Sequence, residues 1–239
     1  MSKRIQIGID IGAGRWTDKK KREIIRSRID SGRAVIDAFE KAWARPKILI
    51  QASAVGYYSP RSDEELEESS PSGHGFLAAM AGDWEDSIAG AASLGVRRVV
   101  VRSGLVLAKN GGVLLRFLRQ FRWFAGGPLG RGKQWLSWIH RRDETAAIRF
   151  LLEREDLAGA FNLTAPGALT MKGFARILGR VMRRPAWFPM PAFLLRLLFG
   201  QMAQETLLAG QKVLPRALLK ASFRFSYPDL ELALREILR

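Results

Sequence analysis

The chain contains no cysteine, so disulfides, thiolate nucleophiles and thiolate metal ligands are excluded. Histidine is scarce: only His74 and His140 occur, which argues against a histidine-based metal cluster. Tyr57, Tyr58 and Tyr227 are the only phenols. Acidic residues are in deficit, with 23 Asp+Glu against 39 Lys+Arg and a formal net charge of +16. That balance favours an anionic partner: nucleic acid, a membrane surface or a phosphorylated ligand. Long apolar runs are also missing. The longest, Trp187 to Phe199, holds two prolines and Arg196 and is too short to span a bilayer. No apolar h-region follows Met1-Ser2-Lys3-Arg4-Ile5, so no signal peptide or transmembrane segment is read. A soluble cytoplasmic protein is the expectation.

What is present is enough for a substantial core. The chain has 239 residues, of which 47% are hydrophobic. Its organising stretch is Ile48 to Ser59, reading ILIQASAVGYYS. A short apolar run after Pro46, ending in small residues, has the pattern of a strand buried in a parallel sheet. In open α/β sheets ligands lie beyond the carboxyl ends of the strands, and here that end carries Ser53, Tyr57 and Tyr58. Two readings follow: a reaction site, or a core strand running into a polar loop.

Ile5 to Ile11 alternates like a short strand. Gly8, Gly12 and Gly14 have the spacing of a phosphate loop, but no acidic ribose reader follows at the required distance, so the spacing is read as chance. Thr17 to Trp43 is helical in pattern, with Thr17 or Asp18 as cap and Gly32 as a break. Asp63 to Glu68 reads as an exposed acidic loop. A helix is expected over Phe76–Ala92, a second buried strand over Val96–Val106, and helices over Leu114–Phe124 and from Arg141 to about Leu152. Gly126 to Gly132 is a glycine-rich loop, Phe161–Leu163 a short strand, and Thr170 the cap of a further helix. The character shifts at Pro185, after which helical patterns cover Phe193–Phe199, Ala203–Leu214 and Asp229–Leu238. Between Leu157 and Pro228 the only acid is Glu205.

Taken as an ordered series, several motifs resemble those of the epimerase-like, atypical extended short-chain dehydrogenase/reductases. They are Arg15-Trp16-Thr17, Ala52-Ser53-Ala54-Val55-Gly56-Tyr57-Tyr58, Asp83-Trp84-Glu85, Arg102-Ser103-Gly104, Gly126-Gly127-Pro128, Trp135-Leu136-Ser137-Trp138-Ile139-His140 with Asp143, and Asn162-Leu163-Thr164. Members are also described as sugar-nucleotide epimerases or cell-division inhibitors. The resemblance implies an α/β fold in which an incomplete Rossmann-like parallel sheet, residues 1–184, carries a small C-terminal helical domain, residues 185–239. It implies NAD or NADP as cofactor and a nucleotide sugar or other small carbonyl compound as substrate. It also implies that the first strands and the glycine-rich loop of the family are absent, as in an N-terminally truncated member. Binding of the dinucleotide is thereby put in question, and an exposed sheet edge is left through which copies could associate.

The family's Tyr-x-x-x-Lys dyad is missing. The residues four positions after the three tyrosines are Arg61, Ser62 and Glu231, and by the family register Leu77 and Ala81 stand where Tyr and Lys would be. The candidate catalytic residues are Ser53, as a substrate-orienting hydroxyl, and Tyr57 or Tyr58, as substitute proton donors. Ala52, Arg102 and Gly104 are the candidates for cofactor contact. Gln134, Trp135, Trp138 and His140 are candidates for a substrate wall. The plainer alternatives are a turn serine, packed aromatics, a structural arginine, core tryptophans and a histidine that caps the helix after it. A non-catalytic interaction protein on the same fold is the second functional reading. A nucleic-acid-binding module is the third, weakened by the acidic loop and by the absence of a nucleic-acid motif.

Overall fold

Apolar residues at helical spacing, opened by a hydroxyl cap, place a long first helix near the N-terminus. In the computed structural model, which describes residues 11, 12, 14–109 and 111–239, it is α1 (Asp18–Glu40), and the Thr17 side chain accepts a hydrogen bond from the Lys20 amide at 3.2 Å. The strand expected over Ile5–Ile11 lies almost wholly outside the described residues, as does Gly8. Gly32 does not break α1. It is a point of close packing, because a Cβ there would lie 1.9 Å from Ser87 Oγ.

The organising stretch is β1 (Ile48–Ala54), followed by a 3₁₀ turn, Val55–Tyr58. The loop after it contains β2 (Glu65–Leu66) and leads to α2 (Phe76–Asp86). This helix is shorter than its apolar spacing suggests. Ser87 Oγ donates to the Trp84 carbonyl at 2.6 Å, and a separate 3₁₀ turn covers Ala89–Ala91. Next come β3 (Arg97–Ser103) and β4 (Leu105–Leu107), which the sequence pattern joins as one strand. They part at Gly104, where a Cβ would lie 2.6 Å from the Ser137 carbonyl oxygen. The remaining elements are α3 (Gly112–Arg122), β5 (Trp135–Leu136), β6 (Trp138–His140), α4 (Arg141–Glu153), β7 (Gly159–Leu163), β8 (Leu169–Thr170), α5 (Met171–Met182), α6 (Ala192–Phe199), β9 (Lys212–Val213), α7 (Arg216–Lys220) and α8 (Leu230–Leu238). The helical pattern over Ala203–Leu214 resolves instead into a π-helical turn, Ala203–Leu207, followed by β9.

The main sheet is parallel, in the order β1-β3-β7, with helical crossovers as parallel pairing requires. Its pleat separates two environments. On one face Val99, Val101, Phe161 and Leu163 pack with Ala147 and Leu151 of α4. The opposite face carries a polar row, because Ser53 pairs in register with Arg102 and Arg102 with Asn162. β4 pairs with β6, and β5 with β8. A larger apolar core joins Phe117 and Phe121 of α3, Phe174 and Leu178 of α5, Leu195 of α6 and Leu230 and Leu234 of α8 around Trp138.

Candidate functional site

The polar row lies under the carboxyl ends of the parallel strands, where an open α/β sheet holds its ligands. Ser53, Arg102 and Asn162 are all buried, so each needs a partner. Glu85 of α2 supplies two of them. It accepts from Arg102 Nε at 2.9 Å and Nη2 at 2.7 Å, and from Ser53 Oγ at 2.6 Å. Arg102 Nη1 donates to the Tyr58 hydroxyl at 2.9 Å, which in turn donates to Asn162 Oδ1 at 2.7 Å. The guanidinium carbon also lies 3.5 Å from the centre of the half-buried Tyr57 ring.

The electrostatics follow from this packing. Burial opposes the charge on Arg102, but Glu85 and Tyr58 outweigh it and hold the guanidinium above its usual range. Burial dominates at Tyr58 and pushes its pKa up to about 12 despite Arg102, so this phenol stays protonated near neutral pH.

Glu68 closes the network from above. The sequence reads it as part of an exposed acidic loop; in the structure it turns inward. Its Oε1 accepts from the Asn162 amide at 2.9 Å and its Oε2 from the Ala217 amide at 3.1 Å. Burial raises its pKa above the ordinary carboxylate range. The loop is further tied down by β2, which pairs with β9, and by Glu65, which meets Lys212 at 2.9 Å and Arg216 at 3.3 Å.

Beside the network, Gly56, Ser59, Pro60, His74, Gly75, Leu77, Glu205 and Gln211 line a cleft of about 120 Å³. Leu77 reaches it over Gly56, whose added Cβ would lie 3.5 Å from Leu77 Cβ. Ala81, one turn further along α2, is buried. The acid in this cleft is Glu205, on the π-helical turn. Its Oε2 accepts from the Leu77 amide at 3.0 Å and its Oε1 from Gln201 Nε2 at 2.6 Å.

The sequence-derived candidates separate into groups. Ser53, Tyr57, Tyr58 and Arg102 come together in the network, whereas none of the candidates lines the cleft itself. Trp138 is fully buried, and its indole N–H donates to the Gly167 carbonyl at 2.9 Å. Gln134 Nε2 donates to the carbonyls of Leu129 at 3.1 Å and Leu207 at 2.8 Å. Trp135 donates to Asp63 at 2.7 Å, with the Lys212 ammonium 4.8 Å from its ring centre. His140 caps α4: its Nδ1 accepts from the Arg142 amide at 3.1 Å, and its Nε2 lies 2.9 Å from Glu236 Oε2. Asp143 Oδ1 and Oδ2 accept from the amides of Ser226 and Tyr227, each at 2.9 Å. Three inward acids were missed as site residues, Glu68, Glu85 and Glu205. Glu205 carried one signal, its isolation in a basic stretch, and Glu85 another, its place in the Asp83-Trp84-Glu85 motif, but neither signal shows that the side chain turns inward.

The three residues implied for dinucleotide contact differ in what they touch. Ala52 is exposed on β1. Arg102 is engaged with Glu85 and Tyr58, and Gly104 packs on the Ser137 carbonyl.

Comparison with known proteins supplies the frame for this site. Residues 190–237 match a family described as a domain of unknown function (DUF1731). The epimerase family protein YfhF of Bacillus subtilis is 39% identical over 226 residues, spanning 94% of this chain and 74% of that relative. Among solved structures, human epimerase family protein SDR39U1 (isoform 2) with NADPH is similar at a TM-score of 0.91 and 34% identity, covering 97% of this chain and 79% of the human chain. A nucleoside-diphosphate sugar epimerase from Corynebacterium glutamicum is similar at a TM-score of 0.76 and 31% identity, covering 94% of this chain and 44% of that longer one.

Proposed function

The chain belongs to the epimerase family, and from that premise we propose that it is a relative of NAD(P)-dependent epimerases and oxidoreductases that binds a nucleotide sugar or other small carbonyl compound but turns it over poorly. The observation that carries this reading is Leu77 over Gly56 at the cleft, with Ala81 buried one turn on. In a reductase of this type a phenol held near neutrality by an ammonium moves the proton. Two aliphatic side chains at these positions can fill space and exclude water, and neither can exchange a proton.

In this reading Ser53 and Tyr58 hold the strand ends rigid through Glu85 and Asn162. Tyr57 is the remaining phenol near the strand end, and its ring lies against the fixed Arg102 cation. Gln134 and Trp135 support the segments that carry Leu207 and Asp63, and His140 serves α4. A dinucleotide would meet this chain at Ala52. NADPH is the form reported with the human relative, which makes it the first to try. We divide the chain into a sheet domain up to residue 184 and a helical unit from 185 to 239. The sugar-facing cleft draws on both, since Gly56 and Leu77 come from the first and Glu205 and Gln211 from the second.

The aliphatic pair also favours a second reading, a regulatory binder that has kept the fold without the chemistry. Thermal melts with UDP-glucose, NADPH and NADH, each beside a turnover assay, separate the two. A ligand present at about 100 times its Kd adds roughly 2.7 kcal/mol to stability. Stabilisation by UDP-glucose with turnover near background supports the proposal. Robust turnover refutes the impairment, and no response to any of the three compounds leaves the regulatory reading.

A further inference from the structure

Among the described residues, exposed large apolar side chains gather toward one corner on three segments, the end of α3, the stretch before α6 and α6 itself, while Trp43, Leu152, Leu219 and Leu232 are exposed on other elements. Trp123 is 84% exposed at the end of α3, Trp187 is 79% exposed, and Phe188 is 66% exposed. On α6, Leu195 faces inward while Phe193 and Leu197, one turn apart, are exposed. These pieces lie side by side. The Phe188 amide donates to the Gly126 carbonyl at 3.1 Å, and a Cβ on Gly127 would lie 2.1 Å from the Phe188 carbonyl oxygen. The Arg184 guanidinium carbon sits 4.4 Å from the centre of the exposed Phe124 ring. The segment after α3 and the segment before α6 therefore form one surface.

Its charge has a single sign. Arg119 and Arg122 end α3, Arg183 and Arg184 follow α5, and Arg196 lies on α6; all are exposed. α3 and α6 contain no acidic residue. Glu205, the only acid between Leu157 and Pro228, faces the cleft instead. Glu231 meets Arg180 of α5 at 2.8 Å, and among the described residues no acid forms an ion pair with Arg119, Arg122, Arg183, Arg184 or Arg196. Exposed Trp and Phe beside unopposed arginines is the composition that settles at a lipid headgroup boundary: aromatic rings enter the interface and cations meet anionic headgroups. Among the described residues no helix is long and apolar enough to cross a membrane, so the contact would be peripheral.

We propose that this corner docks on an anionic lipid bilayer, with Trp187, Phe188 and Phe193 entering the interface and Arg183, Arg184 and Arg196 meeting the headgroups. The proposal is independent of any chemistry at the cleft.

The test is co-sedimentation of the full chain with vesicles of phosphatidylcholine alone and of phosphatidylcholine mixed with phosphatidylglycerol. Expected is binding to the anionic vesicles at least about tenfold tighter than to the neutral ones, weakening as salt is raised. Joint replacement W187S, F188S and F193S is expected to lower anionic-vesicle binding about tenfold or more without lowering the melting temperature, because the three side chains are exposed. R183Q with R184Q is expected to abolish the lipid preference while leaving the fold intact. Equal partitioning to both vesicle types, or no loss in the aromatic variant, overturns the proposal. So does analytical ultracentrifugation showing a dimer that the aromatic variant turns into a monomer, which would assign the corner to a second copy of this chain.

Discussion

Arg102 and Glu85 form a buried two-pronged ion pair, with Nε and Nη2 of the arginine 2.9 and 2.7 Å from the two carboxylate oxygens. The pair joins the middle strand of the sheet to α2, so it holds the helix bearing Leu77 against the strand ends. Replacing Arg102 by Met leaves a buried carboxylate without its cation. The expected loss is about 3–5 kcal/mol of unfolding free energy in urea titrations. Removing both charges in R102M with E85L should restore part of it, because two apolar groups need no partner, and the double-mutant cycle should show strong coupling.

Glu144 gives stability a pH dependence. Burial pushes its pKa up to about 7 although Ser103 Oγ donates to it at 2.6 Å, and its Oε2 is buried with no hydrogen-bond partner among the described residues. Between the ordinary carboxylate value of about 4.3 and about 7 the folded protein holds a proton that the unfolded chain does not. Stability contributed by this group is therefore complete at low pH and falls as pH rises through that window. Glu144→Gln should remove the fall and be more stable than the parent at pH 8 by about 2–3 kcal/mol, read from melts across pH.

Gly32 sets two effects against each other. Alanine is favoured over glycine in a helix interior by about 1 kcal/mol. Here its Cβ would lie 1.9 Å from Ser87 Oγ and 2.8 Å from Ser87 Cβ. Overpacking of this kind costs about 1–3 kcal/mol, so Gly32→Ala is expected to be net destabilising. Combining it with Ser87→Gly should recover the helix-propensity gain; if G32A alone raises the melting temperature, close packing of α1 on this segment is refuted.

Glu68→Ala removes the acceptor for two amides from distant segments. Each buried donor left unsatisfied costs about 1–3 kcal/mol. Amide hydrogen exchange should accelerate at Asn162 and Ala217 specifically, while the interior of α5 keeps its protection.

Features set by neighbouring residues were legible in the sequence. The hydroxyl caps at Thr17 and Thr170, the apolar run of β1 and the spacing of α5 depend on residues only a few positions apart. The ordered motif series carried the family as well. The inward carboxylates were not legible, because acids are ordinarily exposed and their partners here lie far along the chain. Glu85 meets Arg102 from 17 residues away, and Glu205 meets Leu77 from 128. The switch at Gly104 was hidden for a similar reason: β3 and β4 are one apolar run, and only the close approach of Ser137 divides them.

The two bonds of Glu68 span 94 and 149 residues of chain. As a ribosome releases this protein from its N-terminus, β1, α2 and β3 emerge long before the segment that contains Ala217. Until then Glu68 lacks one of its two amides, and the loop above the polar row stays open to water. The sheet can collapse early, but its strand ends are sealed only by the last part of the chain to arrive. Completion of the site is thus a late and non-local step, and nascent chains stalled before residue 217 should remain sensitive to protease in the 59–75 loop.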